Sequence, residues 1–358
     1  MRFEASDPIL FVAYPMLPVS DSSCGGAEQM LWSLERELAR RGVATAVAAC
    51  EDSSVSGELL STGAAPVEPD RFEGREREHS EKVVRLCRER RFALLHDKSG
   101  HFWRHAARVR CPVLATLHLP RSFYPPELFD SVAANVFFNC VSQSQAGGFR
   151  DLSNFLGVVA NGIALERFTF AAAKQDYLLW MGRICPEKGT HLALDAARQL
   201  GVKLVVAGAV YPFSWHRQYF EREVRPRLEA ASSMAEFVES PPFAQKVELL
   251  GQARALLIPT LASETSSLVA MEAMACGTPV VAFAKGALPE VVADGKTGFL
   301  VNDFDEMVNA VRRVDAIEGR RCRAHVEARF NASRMADGYQ RLYATIQECA
   351  SKPVARAG

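Results

Sequence analysis

The sequence predicts an α/β chain of two Rossmann-like, doubly wound domains, and three observations predict it. Short apolar runs of four to eight residues alternate with amphipathic segments along the chain, the pattern of parallel strands covered by helices on both faces. The series runs through once, reaches the turn signal Asn161-Gly162, and starts again. The 358 residues also exceed what one core needs, so two domains of roughly 150 to 200 residues are expected. The expected domains are residues 1–165 and 166–330.

"ILFVAYP" is the first strand. Acids and a proline stand ahead of it, so the N-terminus reads as a strand and not as a signal peptide. The helix "GGAEQMLWSLERELARRG" follows. "VATAVAAC", "FALLHDKSG", "VLATLHLP" and "NVFFNCVSQSQ" are the next strands. Residues 75–92, "REREHSEKVVRLCRERRF", form an amphipathic helix of both charge signs, read as a solvated face and not a membrane anchor. The second series opens with "YLLWMGRICPEKG" and the helix "THLALDAARQLG". Its further strands are "KLVVAGA", "ARALLIPT" and "PVVAF". The final "SKPVARAG" reads as a frayed tail.

Composition excludes several classes. Lys+Arg and Asp+Glu balance at 42 each, so no basic field points to nucleic acid or an anionic membrane. No apolar run reaches the roughly 18 residues of a membrane span. The nine cysteines are scattered without a CxxC pair, as expected of reduced thiols in a cytoplasmic protein. His101 and His105 have an i, i+4 spacing but no evident third ligand, so no metal site and no cofactor are expected.

In open α/β sheets ligands bind beyond the carboxyl ends of the strands, so the residues after each apolar run are the candidates. Gly25-Gly26 precede a helix, where paired glycines allow a phosphate to approach; a plain helix start explains them equally. Arg183 and Lys188 bracket a short loop closed by glycine, a pairing suited to a diphosphate, although a solvated charge pair has the same signature. Between "ALLIPT" and "PVVAF", Ser263 or Thr265 can cap a helix that ends at Gly277. Glu264 lies before that helix and Glu272 within it, the span of a sugar diphosphate nucleoside. Carboxylates at both ends could accept from sugar and ribose hydroxyls, with the helix-start amides on the phosphates between them. His96 and His118 follow successive strands, where a histidine is either structural or catalytic. Phe102, Trp103, Phe123 and Tyr124 are either the walls of a binding pocket or core.

Taken together, these residues resemble the family 4 retaining glycosyltransferases of the GT-B fold. The segments that carry the resemblance are "GGAE", "NGI", "MGRICPEKG", "LVVAG" and "EAMACGTPVVAFAKGALPEVVADGKTGFLV", with the E-x7-E pair Glu264 and Glu272 the most specific. The resemblance implies two Rossmann-like domains facing a cleft, with a C-terminal helix, about 331–358, crossing back to the N-terminal domain. It implies a metal-independent transfer of a hexose from a nucleotide sugar, UDP-linked first and GDP-mannose second, to an acceptor held by the N-terminal domain. Arg183 and Lys188 would bind the diphosphate and steady it as it leaves. Glu272 would hold the ribose, and Glu264 the transferred sugar. Ser267 and Leu268 would offer helix-start amides, and Gly25 and Gly26 would face the phosphates. His118 would point at sugar and acceptor, with His96, Phe123 and Tyr124 as further acceptor contacts. One departure is "ETSS" at Glu264–Ser267, where the family reads E-P-F-G. Three rivals stand beside this reading: a sugar-nucleotide epimerase of the same fold, a donor-binding partner subunit without catalysis, and a nicotinamide oxidoreductase, the last opposed by the absence of GxGxxG.

Overall fold

The computed structural model describes residues 6–23, 25–66 and 72–351. The tail "SKPVARAG" lies beyond Ser351 save for its first residue, outside the described residues. The chain divides into two compact units, Met1–Gly162 with Ala332–Gly358, and Ile163–Asn331.

The first unit is a sheet of seven parallel strands: β1 (Ile9–Val12), β2 (Thr45–Ala49), β3 (Glu58–Ser61), β4 (Leu94–Asp97), β5 (Val113–Thr116), β6 (Val136–Cys140) and β7 (Phe155–Val158). Their order is β3-β2-β1-β4-β5-β6-β7. The helices are α1 (Gly26–Arg40), α2 (Phe72–Glu89) and the single turn α3 (Gln143–Ala146). β1, β2, β4 and β5 are buried at every position, as strands covered on both faces must be. Each fully buried Leu, Ile, Val or Phe contributes about 1.5–3 kcal/mol relative to exposure.

The second unit repeats the plan with six parallel strands. These are β8 (Tyr177–Arg183), β9 (Lys203–Ala209), β10 (Ala235–Glu239), β11 (Ala255–Ile258), β12 (Val280–Phe283) and β13 (Gly298–Val301), in the order β10-β9-β8-β11-β12-β13. Its helices are α4 (Thr190–Leu200), α5 (Ser214–Tyr219), α6 (Arg225–Ala231), α7 (Phe243–Gln252), α8 (Leu268–Ala275), α9 (Leu288–Val291), α10 (Phe304–Val311) and α11 (Gly319–Arg329).

The chain then returns to the first unit as α12 (Ala332–Ser351), which packs on α1. Arg41 anchors it by donating to Asp337 at 2.6 Å, Gln340 at 2.8 Å and the Ser333 carbonyl at 2.8 Å. Tyr339 and Tyr343, one turn apart on α12, are completely buried. The polar face expected of α2 is only partly solvated, because Arg75, His79 and Ser80 are buried. Arg75 donates to the carbonyls of Thr62 and Ala64, and His79 pairs with the Thr62 hydroxyl at 2.8 Å, so this helix clamps the end of β3. No helix among the described residues is long and apolar enough to cross a membrane.

Candidate functional site

In each sheet the strand order reverses once, between β1 and β4 and between β8 and β11. Such switch points open a crevice beyond the carboxyl ends of the strands.

In the second unit that crevice is flanked by the loops after β8 and β11. β8 ends at Arg183 and runs through a 3-10 turn, Pro186–Lys188, into Gly189 and α4. Gly189 has φ of +64°, and a Cβ there would collide with the Pro259 carbonyl. Only glycine lets the two loops press together. The Glu187 carbonyl accepts from the Leu261 amide at 2.7 Å and the Thr260 hydroxyl at 3.0 Å, while Trp180 Nε1 donates to the Lys188 carbonyl at 3.2 Å. With both backbones fixed, Lys188 Nζ meets Glu264 Oε1 at 2.6 Å.

A third loop, after β12, holds Glu264 from the other side. The Ala287 amide donates to the Glu264 carbonyl at 2.7 Å. Gly286, at φ of +58°, lies so close to the Glu264 backbone that any Cβ would overlap it. Three strand-end loops therefore converge on one carboxylate and one ammonium. The pair is poised, not sealed: the Lys188 side chain keeps 33% of its exposure and that of Glu264 11%.

Glu272 lies inside α8, buried, with its carboxylate on Lys246 Nζ of α7 at 2.6 Å. The helix begins later than expected. Its cap position is Ser267, not Ser263 or Thr265, and the Ser267 side chain makes no capping hydrogen bond. Residues 264–267 are thus not helical, and the helical rise of about 1.5 Å per residue applies only to the later half of the E-x7-E segment. Ser267 is buried and Leu268 starts the helix. Arg183 is exposed and leans on Tyr211, its guanidinium 5.7 Å from the ring centroid.

In the first unit, Gly25 caps α1 and Gly26 starts it. The Glu28 carboxylate folds back over Gly25, where a Cβ would overlap it. Burial pushes that carboxyl up to about 7, so an anion approaching this helix start must displace a side chain already there. His118 follows β5, partly exposed, its pKa pushed down to about 3 by burial and by the Lys98 charge. It is a neutral imidazole at ordinary pH, able to exchange hydrogen bonds but not to act as a cation.

Two expected acceptor contacts are corrected, His96 and Tyr124. His96 is completely buried, with Nδ1 on the Tyr343 hydroxyl at 2.7 Å and Nε2 on the Thr116 hydroxyl at 2.8 Å. Both ring nitrogens are committed and no ligand reaches them. Tyr124, only 6% exposed, packs edge-on against Phe129 and Phe149 and is core. Phe102 and Trp103 are core too, Trp103 stacked on Phe129 at 5.5 Å. Phe123 alone of these rings is open, at 64%. No group of three His, Cys, Asp or Glu among the described residues is placed to hold a metal ion. Sequence reasoning missed Lys246 and the Gly286-Ala287 turn; the lysine lacked any local signal, while the turn lay inside a quoted signature segment.

The family model for Glycosyltransferase Family 4 matches residues 24–167, and that for Glycosyl transferases group 1 matches residues 175–315. The chain belongs to the family 4-like glycosyltransferases. Among curated relatives is a D-inositol 3-phosphate glycosyltransferase of Mycolicibacterium paratuberculosis. It is 38% identical over 140 residues, which cover 38% of this chain and 31% of the relative, so the match spans about a third of that protein's length. Sucrose-phosphate synthase from Thermosynechococcus elongatus superposes with a TM-score of 0.79 at 21% identity, covering 96% of this chain and 100% of that one. Anabaena HepE in complex with UDP-glucose superposes with a TM-score of 0.75 at 19% identity, covering 95% and 100%. The chain has the GT-B fold.

Proposed function

We propose that this protein is a retaining glycosyltransferase that moves a hexose from a nucleotide sugar to an acceptor. The observation that carries the reading is the Lys188–Glu264 pair, fixed by three strand-end loops at the switch point of the second unit. On donor binding, Lys188 turns from Glu264 to the diphosphate, and Arg183 adds a forked contact. Both then meet the negative charge that develops on the leaving nucleoside diphosphate. Glu264, released from Lys188, accepts from hydroxyls of the transferred sugar. Glu272, held in place by Lys246, accepts from the ribose hydroxyls. The amides of Ser267 and Leu268 serve the phosphates; Gly25 and Gly26, at the α1 start of the first unit, are a second helix start suited to a phosphate once Glu28 has moved. The first unit supplies the acceptor contacts, with His118 and Phe123 the candidates that remain.

A UDP-sugar is the first donor choice, supported by the complex of the similar HepE with UDP-glucose; GDP-mannose is the second. The reading needs no divalent cation, because two protein cations meet the leaving group. It places the enzyme in the cytoplasm, in keeping with the free thiols of the described residues.

The test is transfer from UDP-glucose and GDP-mannose to an acceptor panel with EDTA present, reading the anomeric configuration of the product. A product of the donor's own configuration is expected, and an inverted one rejects the retaining step. Donor consumed to an isomer without any acceptor would favour the epimerase reading. Tight donor binding without turnover would favour the partner-subunit reading.

A further inference from the structure

The segment after β9 carries a histidine that the proposed reaction leaves without a task. Tyr211, Phe213 and Trp215 cage His216, with ring centroids 6.1, 5.2 and 3.9 Å from the imidazole. His216 is completely buried, yet neither ring nitrogen has a hydrogen-bond partner. A neutral imidazole carries one donor and one acceptor, and burying both unmet is costly enough that native structures seldom do it. An all-apolar ring would fill the cage without that cost. The cover is also thin, since Trp215 lies against the imidazole while 45% of its own surface is open to solvent.

The cage stands beside Arg183. β8 and β9 pair in parallel to their ends, with Arg183 opposite Ala209. Arg183 makes no ion pair among the described residues. Burial first, and then the Arg183 charge, lowers the proton affinity of His216, with Glu187 acting the opposite way. An exposed guanidinium at the end of β8 and a partnerless imidazole in α5, with the Tyr211 ring against both, complement an anionic oxygen that would accept from both.

We propose that His216 is a further binding residue for the diphosphate of the nucleotide donor, acting beside Arg183, and that Trp215 is the movable cover over it. The proposal rests on the donor-site reading above. The incoming phosphate oxygen displaces the indole and accepts from the imidazole N–H. The phosphate charge offsets that of Arg183, so the bound imidazole takes up a proton from solvent more readily than the free one.

The experiment is calorimetric titration of the full chain with UDP, and of the wild type also with GDP and ADP, between pH 6 and pH 8, with tryptophan emission recorded in parallel. The proteins are wild type, Lys188→Ala, His216→Phe, His216→Gln and Trp215→Phe. His216→Phe, which keeps a ring in the cage, is expected to weaken UDP binding about tenfold at pH 6 and less at pH 8. His216→Gln restores a donor, so it recovers part of the affinity without the wild-type pH profile. The terminal phosphate of UDP titrates in the same range, and the two His216 variants supply the baseline for it. The emission change on UDP binding disappears in Trp215→Phe. Wild-type affinity and pH profile in both His216 variants, alongside weakened binding in Lys188→Ala, would overturn the role of His216 and leave the donor site standing. Wild-type protein that binds none of UDP, GDP and ADP would overturn the donor reading and this proposal with it. Should His216→Phe fail to fold, the glutamine variant decides.

Discussion

Beyond β8 and β11 in the second unit, polar side chains from different loops meet one another: Lys188 pairs with Glu264, and both keep some exposure. At the carboxyl ends of β4 and β5 in the first unit, equally polar residues meet a helix from the far end of the chain. His96 bonds the phenol of Tyr343 and the Thr116 hydroxyl, and the buried Lys98 donates to Tyr339 at 3.0 Å with its ammonium 4.5 Å from that ring. The sequence signature is the same in both units, a histidine or cation at the end of an apolar strand. What separates the two is cover. α12 closes over the first set and turns it into a polar core, whereas the second stays accessible to a ligand. A polar residue at a strand end is thus a site only when no later element claims its hydrogen bonds.

The sharpest test of that contrast is on activity. Lys188→Ala and Glu264→Ala should each lower transfer by about 10²-fold or more, the scale of losing a preorganised electrostatic contact. Their thermal midpoints should stay near wild type, because a partly exposed ion pair contributes little stability. Undiminished turnover in both would remove the second unit's claim to the chemistry.

In the first unit the opposite split is expected. Tyr339→Ala should destabilise the fold by about 3–5 kcal/mol, as loss of a buried aromatic does, read by denaturant unfolding. The milder Tyr343→Phe, which strands His96, should cost about 1–3 kcal/mol. Nucleotide affinity of the folded protein should not change in Tyr343→Phe; a selective loss of it would mean that this network reaches the site.

Gly286→Ala probes how closely the second unit is built. Its positive φ and its contact with the Glu264 backbone should cost about 1–3 kcal/mol and weaken nucleotide binding together. An alanine variant with wild-type stability and binding would show that the β12 loop does not position Glu264.

The smallest effect is on pH dependence and belongs to the first unit. His79 and His118 are pushed from 6.5 down to about 3 by burial. As pH falls through 6.5 the unfolded chain takes up protons that the folded one refuses until about 3, so stability falls with acidification across that window. Glu28, raised from 4.5 to about 7, works the other way, since the folded state holds its proton between those values and the unfolded state does not. Urea unfolding at pH 7 and pH 5 should therefore show a loss on acidification, and Glu28→Gln should steepen it. A shallower loss in that variant would contradict the placement of Glu28 over Gly25.

Much of this architecture was legible because buried parallel strands announce themselves. β1, β2, β4, β5, β6, β8, β9, β11 and β12 all coincide with apolar runs read from the sequence. β3, β7, β10 and β13 were not read as strands; all four are edge strands, and the first three have half-buried or exposed positions and no continuous apolar run. The late start of α8 was illegible for a related reason. Four of the residues before it can serve as caps, and what fixes Glu264 in a non-helical stretch is the β12 loop, far downstream in the chain.

By itself, the sequence determined the two parallel-sheet units, the glycines that let loops touch, and the charged residue types at the ends of β8 and β11, because periodicity, φ and side-chain chemistry are local properties. Only the tertiary structure decided which of those residues are available. Burial depends on what packs above a strand end, and for His96 and Lys98 that cover comes from α12, at the other end of the chain. The partners of Glu264 and Glu272 were decided the same way, 76 and 26 residues distant in the sequence and 2.6 Å away in space.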